Sequence, residues 1–422
     1  MSRVIFHVDV NSAFLSWEAT YRIHHLGGTL DLRTIPSAVG GDQEKRHGII
    51  LAKSIPSKKY HVQTGETVAD AKRKCPDLIL VPPNYELYNR SSMALMKILK
   101  RYSDAIEQYS IDEAFVDMSR MFKNPKETAE ELRDTVYNEL GFTVNIGVSS
   151  NKLLAKMASD FTKPNRVHTL WPEEVPEKMW PLPVGDLFYV GHASEQKLSR
   201  MGVHTIGELA QLDPAMLHAH MRSQGLLIGQ YANGIDESPI ITNPPANKGY
   251  GNSLTTPRDV VDLEIAKLYL LSLAETVSAR IRSDGVKVKV VCVGVRDYNL
   301  SYYNHQIQLP EPTDLTVELY DAACKCFAYL WAGIPLRHLG IHTSGVVASD
   351  CRQLNFFSTV DYEKQKKAET TIDVLRRRFG NDSIMRASFA PIPESNQECI
   401  DHMGGGISRE KRTVDYDKEI IS

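Results

Sequence analysis

Residues 109–117 read YSIDEAFVD and place two acids, Asp112 and Glu113, directly before a short apolar run. The run at 114–118 has the length and composition of a buried strand that follows a polar turn. Acids in a turn are most often simply solvated, so this pair does not establish a site by itself. Its meaning depends on whether a third carboxylate and phosphate-binding groups lie elsewhere in the chain.

Strands and helices alternate around this stretch. A buried strand is predicted at 4–10, then a helix that carries Phe14, and further helices near 85–102 and 128–140 with a strand at 143–148. A region rich in Gly, Pro and Lys interrupts the pattern between residues 30 and 83. The pattern predicts an α/β sheet domain with a small inserted subdomain.

Asp9 ends the first predicted strand. If this end faces the acidic turn across neighbouring strands, three carboxylates converge and repel one another unless a cation is bound. Mg²⁺ takes hard oxygen ligands together with substrate phosphates, and two such ions about 3.5–4 Å apart can hold both oxygens of an in-line phosphoryl displacement. The acids are therefore candidate metal ligands.

Length and composition narrow the class of protein. A chain of 422 residues with 42% hydrophobic residues, 24% charged residues and a net charge of -3 predicts several globular domains. This charge excludes a strongly basic nucleic-acid binder, so any such site must be a local patch. The six cysteines are scattered without zinc spacing, and no apolar stretch approaches about 20 residues. We therefore expect a cytoplasmic protein without a membrane segment.

The predicted structure changes several times in the later part of the chain. Short helices with repeated Gly and Pro run to about residue 239, and TNPPANKG at 242–249 is typical of a linker. A strand near Leu254, helices at 263–282 and 315–331, and strands at 286–290, 302–309 and 339–343 then form a βαββαβ module. Beyond residue 349 the sequence predicts a tail with one helix at 363–379.

Three ordered motifs resemble those of the Y-family, or translesion, DNA polymerases of the bacterial DinB/UmuC-like group. They are FHVDVNSAFLSWE near the N-terminus, SIDEAFVD in the middle and NIGVSSNKLLAKMASDFTKPN after it. The resemblance covers about the first 350 residues. It implies an α+β multidomain fold like a right hand: a palm at 1–13 and 82–172, small fingers at 14–81, a helical thumb at 173–240, a linker at 241–249, a little finger at 250–348 and a tail at 349–422.

The same resemblance assigns roles to residues of the first domains. It makes Asp9, Asp112 and Glu113 the ligands of two Mg²⁺ ions, with the carbonyl of Val10 as a further ligand. It makes Phe14 a steric gate against a 2′-hydroxyl; the alternative is an apolar residue that packs on Trp17 or Tyr21.

Two further positions bear on the nucleotide. Lys163, in TKPN, is the candidate triphosphate contact on this resemblance, whereas a lysine row with Lys152 and Lys156 is by itself most often a solvated helix face. In AKSIPSKKYHV, Ile55 stands where the family has a tyrosine, and Lys58 or Lys59 stands where it has an arginine. Lysine lacks the planar guanidinium fork, so a looser triphosphate grip is expected.

Four candidate DNA contacts lie further along the chain. The stretch FYVGHASEQKLSRMGVHTIGELA resembles a helix-hairpin-helix in which Gly191 meets a DNA phosphate and His192 replaces a second glycine. An ordinary pair of helices is the alternative. Lys287 and Lys289 alternate with valines on a predicted strand and, with Arg296, could follow a DNA backbone or form only a polar sheet face.

One short motif in the tail points to a partner. Residues Gln353, Leu354, Asn355, Phe356 and Phe357 read QLNFF and resemble the peptide that binds the bacterial sliding clamp. An exposed aromatic pair on a tail is otherwise costly.

The resemblance implies a monomeric, error-prone, template-directed polymerase that acts on primed template DNA with dNTPs. No second acidic cluster of the exonuclease kind is evident, so no proofreading is expected. Two alternatives stay open. One is a catalytically weak accessory protein of the same family attached to the clamp, and the other is a palm-type phosphoryl-transfer enzyme such as a nucleotide cyclase.

Overall fold

The computed structural model describes residues 3–41, 48–121, 124–348, 361–380 and 383–389. Its strands are β1 (Ile5–Val10), β2 (Ser37–Gly40), β3 (Ile50–Lys53), β4 (Ile79–Val81), β5 (Ile106–Gln108), β6 (Glu113–Asp117), β7 (Val144–Ser149), β8 (Val167–Thr169), β9 (Gly251–Val260), β10 (Val286–Asp297), β11 (Tyr302–Thr313), β12 (Leu336–Ser344) and β13 (Val347–Ala348). Its α-helices are α1 (Ala13–His25), α2 (Ile55–Lys58), α3 (Val68–Lys74), α4 (Tyr85–Leu99), α5 (Pro125–Leu140), α6 (Lys152–Asp160), α7 (Val175–Lys178), α8 (His192–Arg200), α9 (Ile206–Ala210), α10 (Pro214–Ala232), α11 (Leu263–Ser283), α12 (Thr316–Leu330) and α13 (Tyr362–Phe379).

Strand β1 is the centre of a five-stranded sheet with the order β5-β6-β1-β7-β8. It pairs antiparallel with both β6 and β7, and every one of its residues is buried. A central strand covered on both faces needs a continuous apolar run rather than strict alternation. The strand IFHVDV is apolar except for His7 and Asp9, and its pairing with β6 brings Asp9 beside Glu113 near the end of the strand.

The two faces of this sheet are covered differently. Phe6 and Val8 point into the main apolar core, together with Trp17 of α1 and Tyr88 of α4. The opposite face carries α6, and there Ile5 packs with Phe115 and Ala155. Because side chains alternate along a strand, His7 and Asp9 share the α6 face with Ile5. The sheet therefore directs its buried polar residues towards α6.

A second, three-stranded sheet has the order β3-β2-β4, with β2 and β4 parallel. The short helix α2 follows β3 directly, and the Ser54 hydroxyl caps it by accepting a hydrogen bond from the Ser57 N–H at 3.2 Å. Proline at the second position of α2 suits the first turn of a helix. This small subdomain lies within the region where the sequence predicts the insert.

Helices α7 to α10 form a separate helical region. Their core contains Leu198, Ile206, Leu217 and Ile228, and Leu154 of α6 packs into the same cluster. The helix α6 thus contacts the main sheet through one face and the helical region through another. Consequently, Phe188, which lies shortly before α8, contacts Tyr109 of the acidic turn.

Contacts divide the chain into two compact units. The first contains residues 1–39, 50–66 and 70–244, and the second contains residues 40–49, 67–69 and 245–422. In the second unit a four-stranded antiparallel sheet has the order β11-β10-β12-β9, and α11 and α12 supply Leu270, Leu273 and Phe327 to its core. The predicted βαββαβ order is confirmed.

The predicted tail is wrong in part. Helix α13 and residues 387–389 belong to the second unit, where Phe389 is buried in its core. Glu369 of α13 accepts a hydrogen bond from Arg282 at 2.6 Å and others from the Thr316 N–H at 3.0 and 3.1 Å. The polar composition of this segment predicted a free tail, but buried ion pairs hold α13 against the rest of the second unit.

The clamp-like motif at 353–357 lies outside the described residues. Among those that are described, no helix combines the length and the apolar character needed to cross a bilayer.

Candidate active site

One cleft of about 470 Å³ opens at the end of β1 in the first unit. It brings together residues from β1, α1, β3, α2, the acidic turn and the segment after α6. They are Asp9, Val10, Asn11, Ser12, Ala13, Phe14, Leu51, Ala52, Lys53, Ile55, Lys58, Thr64, Asp112, Lys163 and Pro164. Six of the seven residues predicted for the metal and nucleotide sites line this cleft; Glu113 lies beside it.

Asp9 is the most buried acid of the cleft, with 7% of its surface exposed. Burial raises the pKa of its carboxyl to about 6, although the neighbouring Lys163 ammonium opposes the rise. Lys163 contacts Asp9 Oδ2 and also lies 2.8 Å from Asp160 Oδ1. Despite burial, Asp9 therefore holds the pKa of Lys163 above its ordinary value. The Lys163 ammonium thus already places one positive charge next to Asp9.

The acidic turn holds Asp112 against the end of β1. The backbone carbonyl of Asp112 accepts a hydrogen bond from the Val10 N–H at 3.1 Å. The Ser110 hydroxyl donates to Asp112 Oδ1 at 2.6 Å and accepts from the N–H of Glu113 at 3.0 Å. Ser110 therefore organises the turn from inside, and the Asp112 side chain faces the cleft.

Glu113 is the direct cross-strand partner of Asp9. Its Oε2 accepts a hydrogen bond from Lys156 Nζ at 2.9 Å, and His7 Nε2 lies 3.7 Å from the same atom. Burial would raise the pKa of Glu113, but His7 and the Lys156 charge lower it to about 2. Burial also lowers the pKa of His7, whose Nδ1 is 2.8 Å from Ser159 Oγ.

The oxygen atoms that line the cleft are of the kind that bind a divalent metal ion. Asp9 and Asp112 line the same cleft as the Val10 backbone, and all of these groups offer hard oxygen ligands. Lys163 pairs with Asp9 and Lys156 pairs with Glu113, so lysine ammonium groups neutralise both carboxylates here. Within the described ranges, however, no three acidic, His or Cys side chains are arranged together to hold a metal. Of the three carboxylates expected to converge, Asp9 and Asp112 line the cleft, whereas Glu113 pairs with Lys156 beside it.

Phe14 is both a cleft residue and part of the aromatic core. Its ring stacks on Tyr88 at a centroid distance of 4.4 Å and an interplanar angle of 5°, and Trp17 lies 6.0 Å away. Tyr88 is fully buried, so it gives Phe14 a rigid backing. The two interpretations from the sequence are therefore compatible: the ring packs on the core and also limits the space of the cleft.

Three lysines face this cleft. Ile55 and Lys58 are three positions apart on α2, so one helix face carries both of them. Lys58 lines the cleft and Lys59 does not, so Lys58 is the better placed of the two lysines that the sequence left open. Lys53 was missed, although it stands in the same lysine-rich stretch. Partial burial, with the charge of Lys58, lowers the pKa of Lys53.

The turn that leads into α8 differs from its sequence interpretation. His192 is the first residue of α8, and Gly191 is its N-cap. The left-handed backbone conformation belongs to Tyr189, with φ +73°. A positive φ of this size strongly favours glycine, and His192 lies in a helix instead. It is therefore Tyr189, not His192, that stands where the backbone conformation favours glycine. A side chain added at Gly191 would meet no atom within 4 Å, so the backbone there is open.

In the second unit the predicted lysine face is wrong for Lys287. Only 2% of Lys287 is exposed, β13 pairs beside it, and its ammonium lies 5.0 Å from the Tyr362 ring centroid. The register of β10 shifts between Val288 and Val290, so the simple alternation ends there. Lys289 and Arg296 stay exposed, and Arg296 lies 5.9 Å from the Tyr302 ring centroid.

Comparison with known proteins identifies the family. Models of the impB/mucB/samB family match residues 8–160, its C-terminal domain matches 247–356, and the helix-hairpin-helix motif of the IMS family matches 172–203. DNA polymerase IV of Clostridium acetobutylicum is 40% identical over 92% of this chain and 98% of its own length. DNA polymerase IV 2 of Bacillus subtilis is 36% identical over 96% of this chain and 98% of its own length.

A solved Y-family DNA polymerase chimera has the same fold, with a TM-score of 0.72 at 20% identity; the match covers 82% of this chain and 99% of that one. The cleft carboxylates, the hairpin motif and these relatives agree, and the chain belongs to the impB/mucB/samB family, the bacterial DinB-like group of Y-family DNA polymerases.

Proposed function

We propose that this Y-family DNA polymerase carries out error-prone, template-directed translesion synthesis and adds dNMPs to a primer 3′-hydroxyl with two Mg²⁺ ions. The observation that carries the proposal is the single cleft lined by Asp9, Asp112, Phe14 and three lysines. Polymerases of this family generally depend on divalent metal ions. The number of ions and the choice of Mg²⁺ rest on the oxygen donors of the cleft.

Asp9, Asp112 and the Val10 carbonyl would hold the metal, with Glu113 beside them. Bound metal would offset the negative charge of the triphosphate and of the departing pyrophosphate. The side chains contribute position and charge. Ser110 orients Asp112 through its 2.6 Å hydrogen bond, and Lys156 fixes one oxygen of Glu113. Rigid placement of this kind supplies much of the catalysis in phosphoryl transfer.

The incoming dNTP fits the other wall of the cleft. Lys53, Lys58 and Lys163 provide three ammonium groups for a triphosphate, and Phe14 lies beside the carboxylates where the sugar of that nucleotide would be. Because Tyr88 backs the ring, Phe14 cannot retreat easily from a 2′-hydroxyl. The cleft therefore favours a deoxynucleotide.

The test is primer extension on undamaged and abasic templates with dNTPs and Mg²⁺. We compare the wild type with the double variant Asp112→Ala plus Glu113→Ala. A matched control is Glu130→Ala plus Glu131→Ala, an adjacent acid pair on α5 that does not line the cleft. Extension by the wild type and the control, but not by the site variant, supports the proposal. Equal extension by all three proteins refutes the assigned site.

A second candidate is an accessory protein of the same family with weak synthesis. Ile55 favours it, because this apolar side chain is 45% exposed within a cleft meant for a triphosphate. Undetectable extension by purified wild type, with normal binding of primed DNA, would support this candidate. The QLNFF motif at 353–357 makes the bacterial sliding clamp the proposed partner for either candidate. Loss of clamp binding on Phe356→Ala plus Phe357→Ala would test that part.

A further inference from the structure

Two buried asparagines lie beside the segment that carries Lys163, and the proposed reaction uses neither of them directly. Asn145, on β7, is fully buried, and Asn11, directly after β1, is 7% exposed. Asn145 is the cross-strand partner of Asp9, so both side chains lie on the same face of the sheet. The Asn11 amide donates to Asn145 Oδ1 at 3.2 Å. The two carboxamides therefore form a pair next to the carboxylates of the cleft.

This asparagine pair binds three main-chain groups of residues 162–166, the lysine loop. The hydrogen bonds run from Asn145 Nδ2 to the Thr162 carbonyl at 2.8 Å, from the Arg166 N–H to Asn145 Oδ1 at 3.2 Å and from the Asn165 N–H to Asn11 Oδ1 at 2.9 Å. These groups lie on both sides of Lys163 in the chain. The asparagine pair therefore holds the main chain from which the Lys163 side chain starts.

The amide of Asn145 has no unused hydrogen-bonding capacity. Its Nδ2 also donates to the Ser159 carbonyl at 2.9 Å, so this side chain donates two hydrogen bonds and accepts two. Any other orientation would leave buried polar groups unpaired, which costs free energy. Asn165 has a left-handed backbone, with φ +57°, and its N–H is held by Asn11. The lysine loop thus has one well-defined position.

Lys163 needs this support in the proposed reaction. Its ammonium contacts Asp9 and lies 2.8 Å from Asp160 Oδ1. Asp9 is a proposed metal ligand, so Lys163 exchanges that contact for a phosphate oxygen when the nucleotide binds. The Asp160 side chain is 52% exposed, and ion pairs at such positions are weak. The placement of the ammonium then depends mainly on the main chain of the lysine loop.

We propose that Asn11 and Asn145 are positioning residues for the incoming dNTP, because they hold Lys163 at the triphosphate through the main chain of the lysine loop. The inference rests on the proposed function and deepens it. A lysine on a loose loop must become ordered when the nucleotide binds, and this ordering reduces the affinity. The asparagine pair orders the loop before the nucleotide arrives.

The test measures the Kd of the next correct dNTP, with Mg²⁺, for the full chain on a primer that ends in a dideoxynucleotide, so that no bond forms. The fluorescence of a 2-aminopurine base beside the templating base reports binding. The variants are Asn145→Ala, Asn11→Ala, Lys163→Ala and the double variant Asn145→Ala plus Lys163→Ala.

Asn151→Ala is the matched control for the loss of a buried amide. Asn151 is 8% exposed, and it accepts from the Leu154 N–H and donates to the Gly234 carbonyl, away from the lysine loop. Thermal melting verifies that each protein is folded. If Asn145→Ala melts below the assay temperature, Asn11→Ala combined with Lys163→Ala gives the same comparison.

We expect Asn145→Ala to raise the Kd of dNTP about tenfold, which is ~1.4 kcal/mol, and Asn11→Ala to raise it by a smaller factor, because Asn11 makes one of the three loop bonds. The Kd for primer-template and the dNTP affinity of the Asn151 control should match the wild type. Because the asparagines act through Lys163, the double variant should bind dNTP no more weakly than Lys163→Ala alone.

Wild-type affinity for dNTP in both asparagine variants overturns the inference. Additive losses in the double variant overturn it as well, since they indicate an effect that does not pass through Lys163. Failure of the proposed function looks different: wild type that binds primed DNA but no dNTP refutes that function, and the inference with it.

Discussion

Asp9, the proposed metal ligand at the end of β1, should destabilise the metal-free fold, and the replacement Asp9→Asn tests this. Burial raises the pKa of Asp9 from 3.8 to about 6 in the folded protein, whereas the unfolded chain keeps the ordinary value. Between these pH values the folded state binds more protons than the unfolded state, so stability falls as pH rises through that window. Above pH 6 the ionised Asp9 costs up to about 3 kcal/mol of folding free energy.

The assay is urea unfolding in EDTA at pH 4 and pH 8, followed by tryptophan fluorescence. Three of the four tryptophans, Trp17, Trp171 and Trp180, lie in the first unit and report its unfolding. Asp9→Asn keeps the shape of the side chain but removes the charge. The variant should therefore match the wild type at pH 4 and exceed it by about 1–3 kcal/mol at pH 8. Added Mg²⁺ should reduce this difference in unfolding free energy at pH 8, because Mg²⁺ stabilises only the wild type, which keeps the Asp9 carboxylate as a ligand.

Asp160→Asn is the control for this experiment. Asp160 also contacts Lys163, but its side chain is 52% exposed, so its removal should change stability by less than about 0.5 kcal/mol. A stability difference between Asp9→Asn and wild type that is equal at pH 4 and pH 8 would refute the reasoning. An asparagine variant less stable than wild type at pH 8 would refute it as well.

Three further predictions concern the cleft and the second unit. Phe14→Ala should raise incorporation of ribonucleotides about 10–100-fold relative to deoxynucleotides in single-nucleotide extension, and unchanged discrimination would exclude a gate. Lys58→Arg should lower the KM for dNTP, because a guanidinium can bind phosphate with two hydrogen bonds, whereas Lys59→Arg, outside the cleft, should not. Arg282→Met should lower the unfolding free energy of the second unit by about 3–5 kcal/mol, because buried Glu369 and Asp373 then lose the guanidinium that pairs with both of them. Adding Glu369→Leu should recover part of that loss in urea titrations, and no recovery would contradict the argument.

The candidate site could be predicted from sequence wherever one short motif carried its residue. Asp9, Asp112, Phe14 and Lys163 each stand in such a motif, and all four line the cleft. Lys53 stands in the stretch that holds Lys58, but it was missed because nothing local distinguishes one lysine of such a stretch from another. The orientation of Glu113 could not be predicted either, since it depends on Lys156, which is 43 positions away in the chain.

By itself the sequence determined the order of helices and strands, because local periodicity, caps and turn residues act over a few positions. It also placed Asp9 near the end of the first strand and the acidic turn directly before another, because apolar runs mark both strands. The tertiary structure alone decided the burial of Lys287, which follows from the shifted register of β10 and from coverage by β13 and Tyr362. It likewise brought the Tyr109 ring to 6.1 Å from the Phe188 ring, because these two residues meet only when the helical region packs beside the sheet. Such contacts join distant segments, and no local pattern encodes them.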